Sequence, residues 1–144
     1  MNLFGVLEIS GSALAAERQR AEVVASNMAN LETTRTPEGG PYRRRLLVFR
    51  AQRPAQPPML LAGLADGGAR GIRVERVVTD ATAPLRRYQP GHPDADGQGY
   101  VSYPAINPVE EMTDLLGAVR AYELNASVVQ AAKMMIQQSL DLLR

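Results

Sequence analysis

All ten prolines of this 144-residue chain lie between Pro37 and Pro108, so roughly a quarter of the sequence at each end has none. Proline removes a backbone donor and clashes with the preceding helical turn, which leaves room for long helices only at the two ends. Nine of the twelve glycines fall in the same middle stretch. The chain therefore reads as helix, irregular or β-rich insert, helix.

Hydrophobic spacing agrees. Leu7, Leu14, Ala21 and Met28 repeat by seven, as do Leu3, Ser10, Glu17, Val24 and Leu31, the latter polar in its middle. Towards the other end Leu115, Tyr122, Val129, Ile136 and Leu143 repeat without a break, beside Met112, Val119, Ala126, Lys133 and Leu140. Two apolar series offset by three or four residues make a seam along one side of a helix. Asn107 is placed to cap the second helix, with Pro108 at its first position and Glu110 set for a capping box. The first helix is expected to end near Asn30 or Leu31, before Pro37. From Leu3 to Leu31 it would be about 43 Å long, too long for the insert to cover, so part of each stripe is expected to meet another subunit. Without such partners both ends of the isolated chain are expected to be incompletely ordered.

In the middle, Arg45–Phe49 and the alternating Ile72–Val78 read as strands, with Arg86–Tyr88 and Tyr100–Tyr103 as short edges. The stretch 53–71, rich in proline, alanine and glycine, reads as a mobile loop. The expected fold is α+β: long N- and C-terminal α-helices packed as an antiparallel coiled-coil-like pair, with a small β-rich insert between them. The division is 1–34 helix, 35–106 outer domain and 107–144 helix.

Chemistry is sparse. With no cysteine, thiolate metal sites and thiol nucleophiles are excluded. His92, the single histidine, sits in a turn-forming Gln89–Pro93 stretch. Asp94-Ala95-Asp96-Gly97 lacks the glutamate that closes a calcium loop and reads as an acidic turn. Glu110, Glu111 and Asp114 suit a helix N-terminus electrostatically. Arg43-Arg44-Arg45 reads as a solvated strand edge. No P-loop lysine accompanies Gly39-Gly40 or Gly67-Gly68. These readings point to no enzyme, cofactor or metal and no small-molecule substrate. The net charge of +1 is too small for a dedicated nucleic-acid binder. It is nevertheless unevenly spread: 35–106 carries eleven arginines against six acids, whereas each end is net −2. No basic lead precedes the first apolar residues, so the N-terminus does not read as a cleaved secretory signal.

Val24-Ala25-Ser26-Asn27-Met28-Ala29-Asn30-Leu31 resembles the ASNxAN signature of flagellar axial proteins, the rod and hook family. Ile9–Ala16 with Arg20, Pro37-Glu38-Gly39-Gly40-Pro41-Tyr42, the Tyr88–Pro93 turn with Gly99-Tyr100-Val101, and Asn107–Met112 with Arg120–Asn125 resemble its proximal-rod branch in the right order. The resemblance implies a structural subunit of the basal-body rod in the periplasm, exported unfolded through the flagellar type III apparatus. It implies helical polymerisation through the end helices, forming part of the torque-transmitting shaft and its channel. Implied partners are copies of itself, other proximal-rod proteins, the adaptor at the membrane ring and the distal rod. The expected interface is Leu3, Leu7, Leu14, Ala21, Val24, Asn27, Met28, Asn30 and Leu31 with Met112, Leu115, Val119, Tyr122, Ala126, Val129, Ile136, Leu140 and Leu143. Asn27 and Asn30 either cap the helix end or bond across subunits. The alternatives are a different rod-family subunit and a free-standing helical binding module.

Overall fold

The computed structural model describes residues 3–52 and 71–142. Helix α1 (Leu3–Ala29) is followed by strands β1 (Arg45–Ala51), β2 (Ile72–Thr79), β3 (Leu85–Tyr88) and β4 (Tyr100–Tyr103), then helix α2 (Pro108–Asp141). Two long end helices with a small β region between them in sequence are therefore as expected. Among the described residues no helix is long and apolar enough to cross a membrane. The loop expected at 53–71 lies, apart from Gly71, outside the described residues.

The helix ends follow from their capping chemistry. Asn107 Oδ1 accepts the Val109 N–H at 3.0 Å, and its amide nitrogen reaches Glu110 Oε1 at 3.2 Å. Pro108, which has no N–H to satisfy, opens the helix. At the end of α1 the Asn30 N–H bonds to the Ser26 and Asn27 carbonyls, and Asn30 Nδ2 adds a 2.8 Å bond to Ser26 O. Asn30 is thus a local cap, satisfying carbonyls the helix leaves open.

Strands β1 and β2 form one two-stranded sheet, β3 and β4 another. At the two ends of the first, Gln52 N donates to Gly71 O (2.9 Å) and Asp80 N to Arg44 O (2.8 Å), an antiparallel pattern. The second pairs Leu85 with Tyr103 through to Tyr88 with Tyr100. Period-two alternation puts Val101 and Tyr103 on its buried face, and Arg86, Tyr88 and Tyr100 on the exposed one. At Gly71 a side chain is sterically barred. Its φ is +112°, and a Cβ there would lie 2.1 Å from the Ser12 hydroxyl. That hydroxyl accepts the Ile72 N–H at 3.1 Å while donating to Ile9 O, so α1 fixes the start of β2.

The chain groups into two compact units. One comprises Met1–Gln19, Val48–Arg76 and Ala118–Arg144; its buried residues include Ser10, Ala16, Ala118 and Ala132. The other comprises Arg20–Leu47 and Val77–Gly117; Val24, Asn27, Tyr42, Val101, Tyr103, Ile106 and Glu111 are buried there. Among the described residues, the fully buried helix positions of the first unit are alanine and serine.

Candidate assembly interface

Asn27 organises the second unit. Its side chain is 1% exposed, and every hydrogen-bonding position of the amide is used. Nδ2 donates to the Arg45 carbonyl and to Glu111 Oε2, both at 2.9 Å. Oδ1 accepts the Arg45 N–H at 2.9 Å and the Tyr42 hydroxyl at 3.0 Å. The segment reaches Asn27 because the chain reverses between Thr33 and Tyr42. Tyr42 N bonds to Thr33 O, and Gly39 (φ +91°) and Gly40 (φ +76°) take conformations side chains rarely adopt. One amide thereby ties the end of α1 to the start of β1 and to the first turn of α2.

Glu111 is also 1% exposed, and its other oxygen accepts Arg44 Nε at 2.6 Å. Arg44 lies 3.9 Å from Glu110 and 3.5 Å from Asp114, and Arg20 bonds to Asp114 at 3.2 Å. The expectation of a solvated strand edge is therefore corrected for Arg44, whose side chain is 19% exposed and held by three carboxylates. The acidic run at the start of α2 likewise does more than complement the helix dipole: Glu111 is desolvated, and a buried carboxylate is tolerable only when paired. His92 lies in its turn as expected, with Nδ1 accepting the Asp94 N–H. Asp96 closes the same loop. The Tyr100 N–H donated to Asp96 holds its carboxyl below the ordinary aspartate range, aided by Gln98 N–H and Arg86. Asp94 accepts the Thr34 hydroxyl at 2.8 Å.

The helix faces divide by residue size. Along α2 the buried positions Glu111, Ala118 and Ala132 lie seven and fourteen residues apart, with half-buried Asn125 between them. The opposite stripe carries Val109 (70% exposed), Met112 (58%), Leu116 (57%) and Val119 (43%), spaced 3, 4 and 3. Met134, Met135 and Leu140 are also exposed, as are Phe4 and Ile9 of α1. Along α2 the fully buried positions are small or polar, while these large apolar side chains face solvent. Large exposed apolar side chains aligned in this way make this face of α2 the candidate interface.

The expected interface residues divide accordingly. Met112, Val119, Tyr122 and Leu140 are exposed. Leu3, Leu7, Leu14, Ala21, Met28, Asn30, Leu31, Leu115, Ala126, Val129 and Ile136 are half-buried. Val24 and Asn27 are buried within the chain, and Leu143 lies outside the described residues. Leu116, Val109 and Phe4 were not singled out from the sequence, although the 3-4-3 spacing from Val109 to Val119 was there to read.

Comparison with known proteins accounts for both helices. Residues 7–35 match the family described as flagella basal body rod protein. Residues 98–142 match the flagellar basal body rod FlgEFG protein C-terminal family. The chain is similar to the flagellar basal-body rod protein FlgC of Borreliella burgdorferi, 39% identical over 152 residues and covering 100% of this chain and 99% of the relative. The FlgC proteins of Bacillus subtilis (34% over 148 residues, 99% of each) and Salmonella typhimurium (37% over 142 residues, 99% of this chain and 98% of the relative) are similar throughout.

Proposed function

The chain belongs to the flagellar basal-body rod protein FlgC family, and from that membership we propose that it builds the proximal rod by helical polymerisation through the outward faces of α1 and α2. It is a structural subunit of the flagellar basal body. One observation carries the reading: Glu111, Ala118 and Ala132 are the buried positions of α2, while Val109, Met112, Leu116 and Val119 are exposed along the same helix. Each such side chain gains about 1.5–3 kcal/mol when fully buried, so a neighbour covering the stripe is strongly favoured. Contacts between unlike faces generate helical filaments when their rotation does not close into a ring. Torque is then shared among many buried helix contacts, and no catalytic group is called for.

The end helices run as an antiparallel, coiled-coil-like pair in this proposal. Its support is that Arg20 meets Asp114 while Asn27 meets Glu111: the higher α1 number goes with the lower α2 number. Residues 1–34 and 107–144 form the rod core, and 35–106 lies on the outer side. Neighbours are copies of the chain, other proximal-rod proteins, the adaptor at the membrane ring and the distal rod, reached after export through the type III apparatus. Deleting the gene for this chain from the parent bacterium is expected to abolish motility and rods in electron micrographs, with both restored by the intact gene. A motile deletion strain with complete basal bodies would refute the reading.

A further inference from the structure

We propose that the arginine-lined groove built by the Pro37–Tyr42 turn is the seat of an acidic end helix from a second copy of the chain, an inference that rests on the assembly reading above. The groove encloses about 370 Å³ and is lined by Arg35, Arg43 and Arg45 together with Tyr42, Pro41 and a single acid, Glu38. It is preformed. Thr36 N bonds to Gly40 O, Gly39 N to Thr36 O and Tyr42 N to Thr33 O, and the Tyr42 hydroxyl is anchored on Asn27. A rigid loop loses little entropy when something docks on it.

Its cations are only lightly committed inside the chain. Arg44 is consumed by Glu111, but its neighbours in the run are not. Exposed Arg43 makes no ion pair among the described residues. Arg45 lies over the Tyr42 ring, 5.6 Å from its centre. Arg35 is 3.8 Å from Asp94 with 80% of its side chain exposed. Guanidinium groups so placed are suited to carboxylates, which they bind through paired, charge-assisted hydrogen bonds.

The chain carries the complementary charge itself. Residues 1–34 and 107–144 are each net −2 against +5 for 35–106. Glu8 of α1 and Glu123 of α2 are exposed and make no ion pair among the described residues. Glu123 stands one turn beyond exposed Val119, at the end of the outward apolar stripe. A neighbour covering that stripe must also meet this carboxylate, and burying it without a cation is unfavourable. Arginines on a second copy satisfy it, and they set the register of one copy against the next.

The test uses assembled rods. A photo-reactive phenylalanine analogue replaces Arg43 in one strain and Leu116 in another, basal bodies are isolated after irradiation, and linked peptides are identified by mass spectrometry. The expected result is a link from position 43 to a peptide of a second copy containing Glu8 or Glu123. Its yield should fall roughly tenfold or more when both glutamates are replaced by arginine. If position 116 links to a neighbouring subunit but position 43 links to another protein, to another segment or to nothing, the groove proposal is overturned and the assembly reading stands. If neither position links to a neighbour, the assembly reading fails and the groove proposal fails with it.

Discussion

Asn27→Asp is expected to destabilise the isolated chain more than any other single substitution near the end of α1. The amide nitrogen that donates to Glu111 at 2.9 Å becomes a carboxylate oxygen facing another carboxylate. The same change removes the donor to the Arg45 carbonyl. Both Asn27 and Glu111 are 1% exposed, so water cannot screen the repulsion. Breaking a buried, paired charge of this kind costs on the order of 3–5 kcal/mol. In a chain of this size that lowers the thermal midpoint by roughly 10–15 °C. Tyr42→Phe supplies the scale: it deletes one of the four bonds to Asn27, and its cost should be only about 0.5–1.5 kcal/mol. Circular dichroism at neutral pH on the two variants and the unaltered chain measures both. Equal midpoints for all three would mean that the amide network does not hold the end of α1 to β1 and α2.

Leu116→Asp is expected to do the opposite: leave the isolated chain intact and abolish motility. Leu116 is 57% exposed, and substitutions at such surface positions usually change stability by no more than about 0.5 kcal/mol. In the rod the new carboxylate would be buried against a neighbouring subunit without a partner, at a cost of several kcal/mol in each copy. Rods should therefore be missing from electron micrographs while the exported variant accumulates unassembled. Val129→Asp is a less discriminating experiment, because Val129 is half-buried within the chain and its substitution disturbs folding as well as assembly. Normal swimming of the Leu116→Asp strain would remove the outward stripe of α2 from the interface.

The contrast between these two residues shows where sequence reading works and where it stops. Proline placement bounded both helices, and Asn107 with Pro108 marked the start of α2, because caps and breakers act through neighbouring backbone alone. The four strands were legible for the same reason: alternation and turn residues are local. The role of Arg44 was not. A run of three arginines looks the same whether all are solvated or one is held by carboxylates, and Glu111 is 67 residues away. The orientation of α2 was hidden too, since apolar residues occur on more than one of its faces. The buried face is marked by alanines at 118 and 132, and alanine is so common in both helices that its position carries little signal. Asn27 stood out through the signature it belongs to, but its four hydrogen bonds go to Tyr42, Arg45 and Glu111, which only the folded chain brings together.

Because the chain contains no cysteine, the central claim can be tested at a single introduced thiol. Leu116→Cys would be labelled with a maleimide in the purified chain and, separately, in isolated basal bodies, with Gln98→Cys in the exposed β3–β4 loop as a control for reagent access. The account predicts that Cys at 116 reacts readily in the free chain and is protected in the rod, while Cys at 98 reacts in both. Equal labelling at 116 in the two states would contradict the claim that neighbouring subunits cover the outward face of α2.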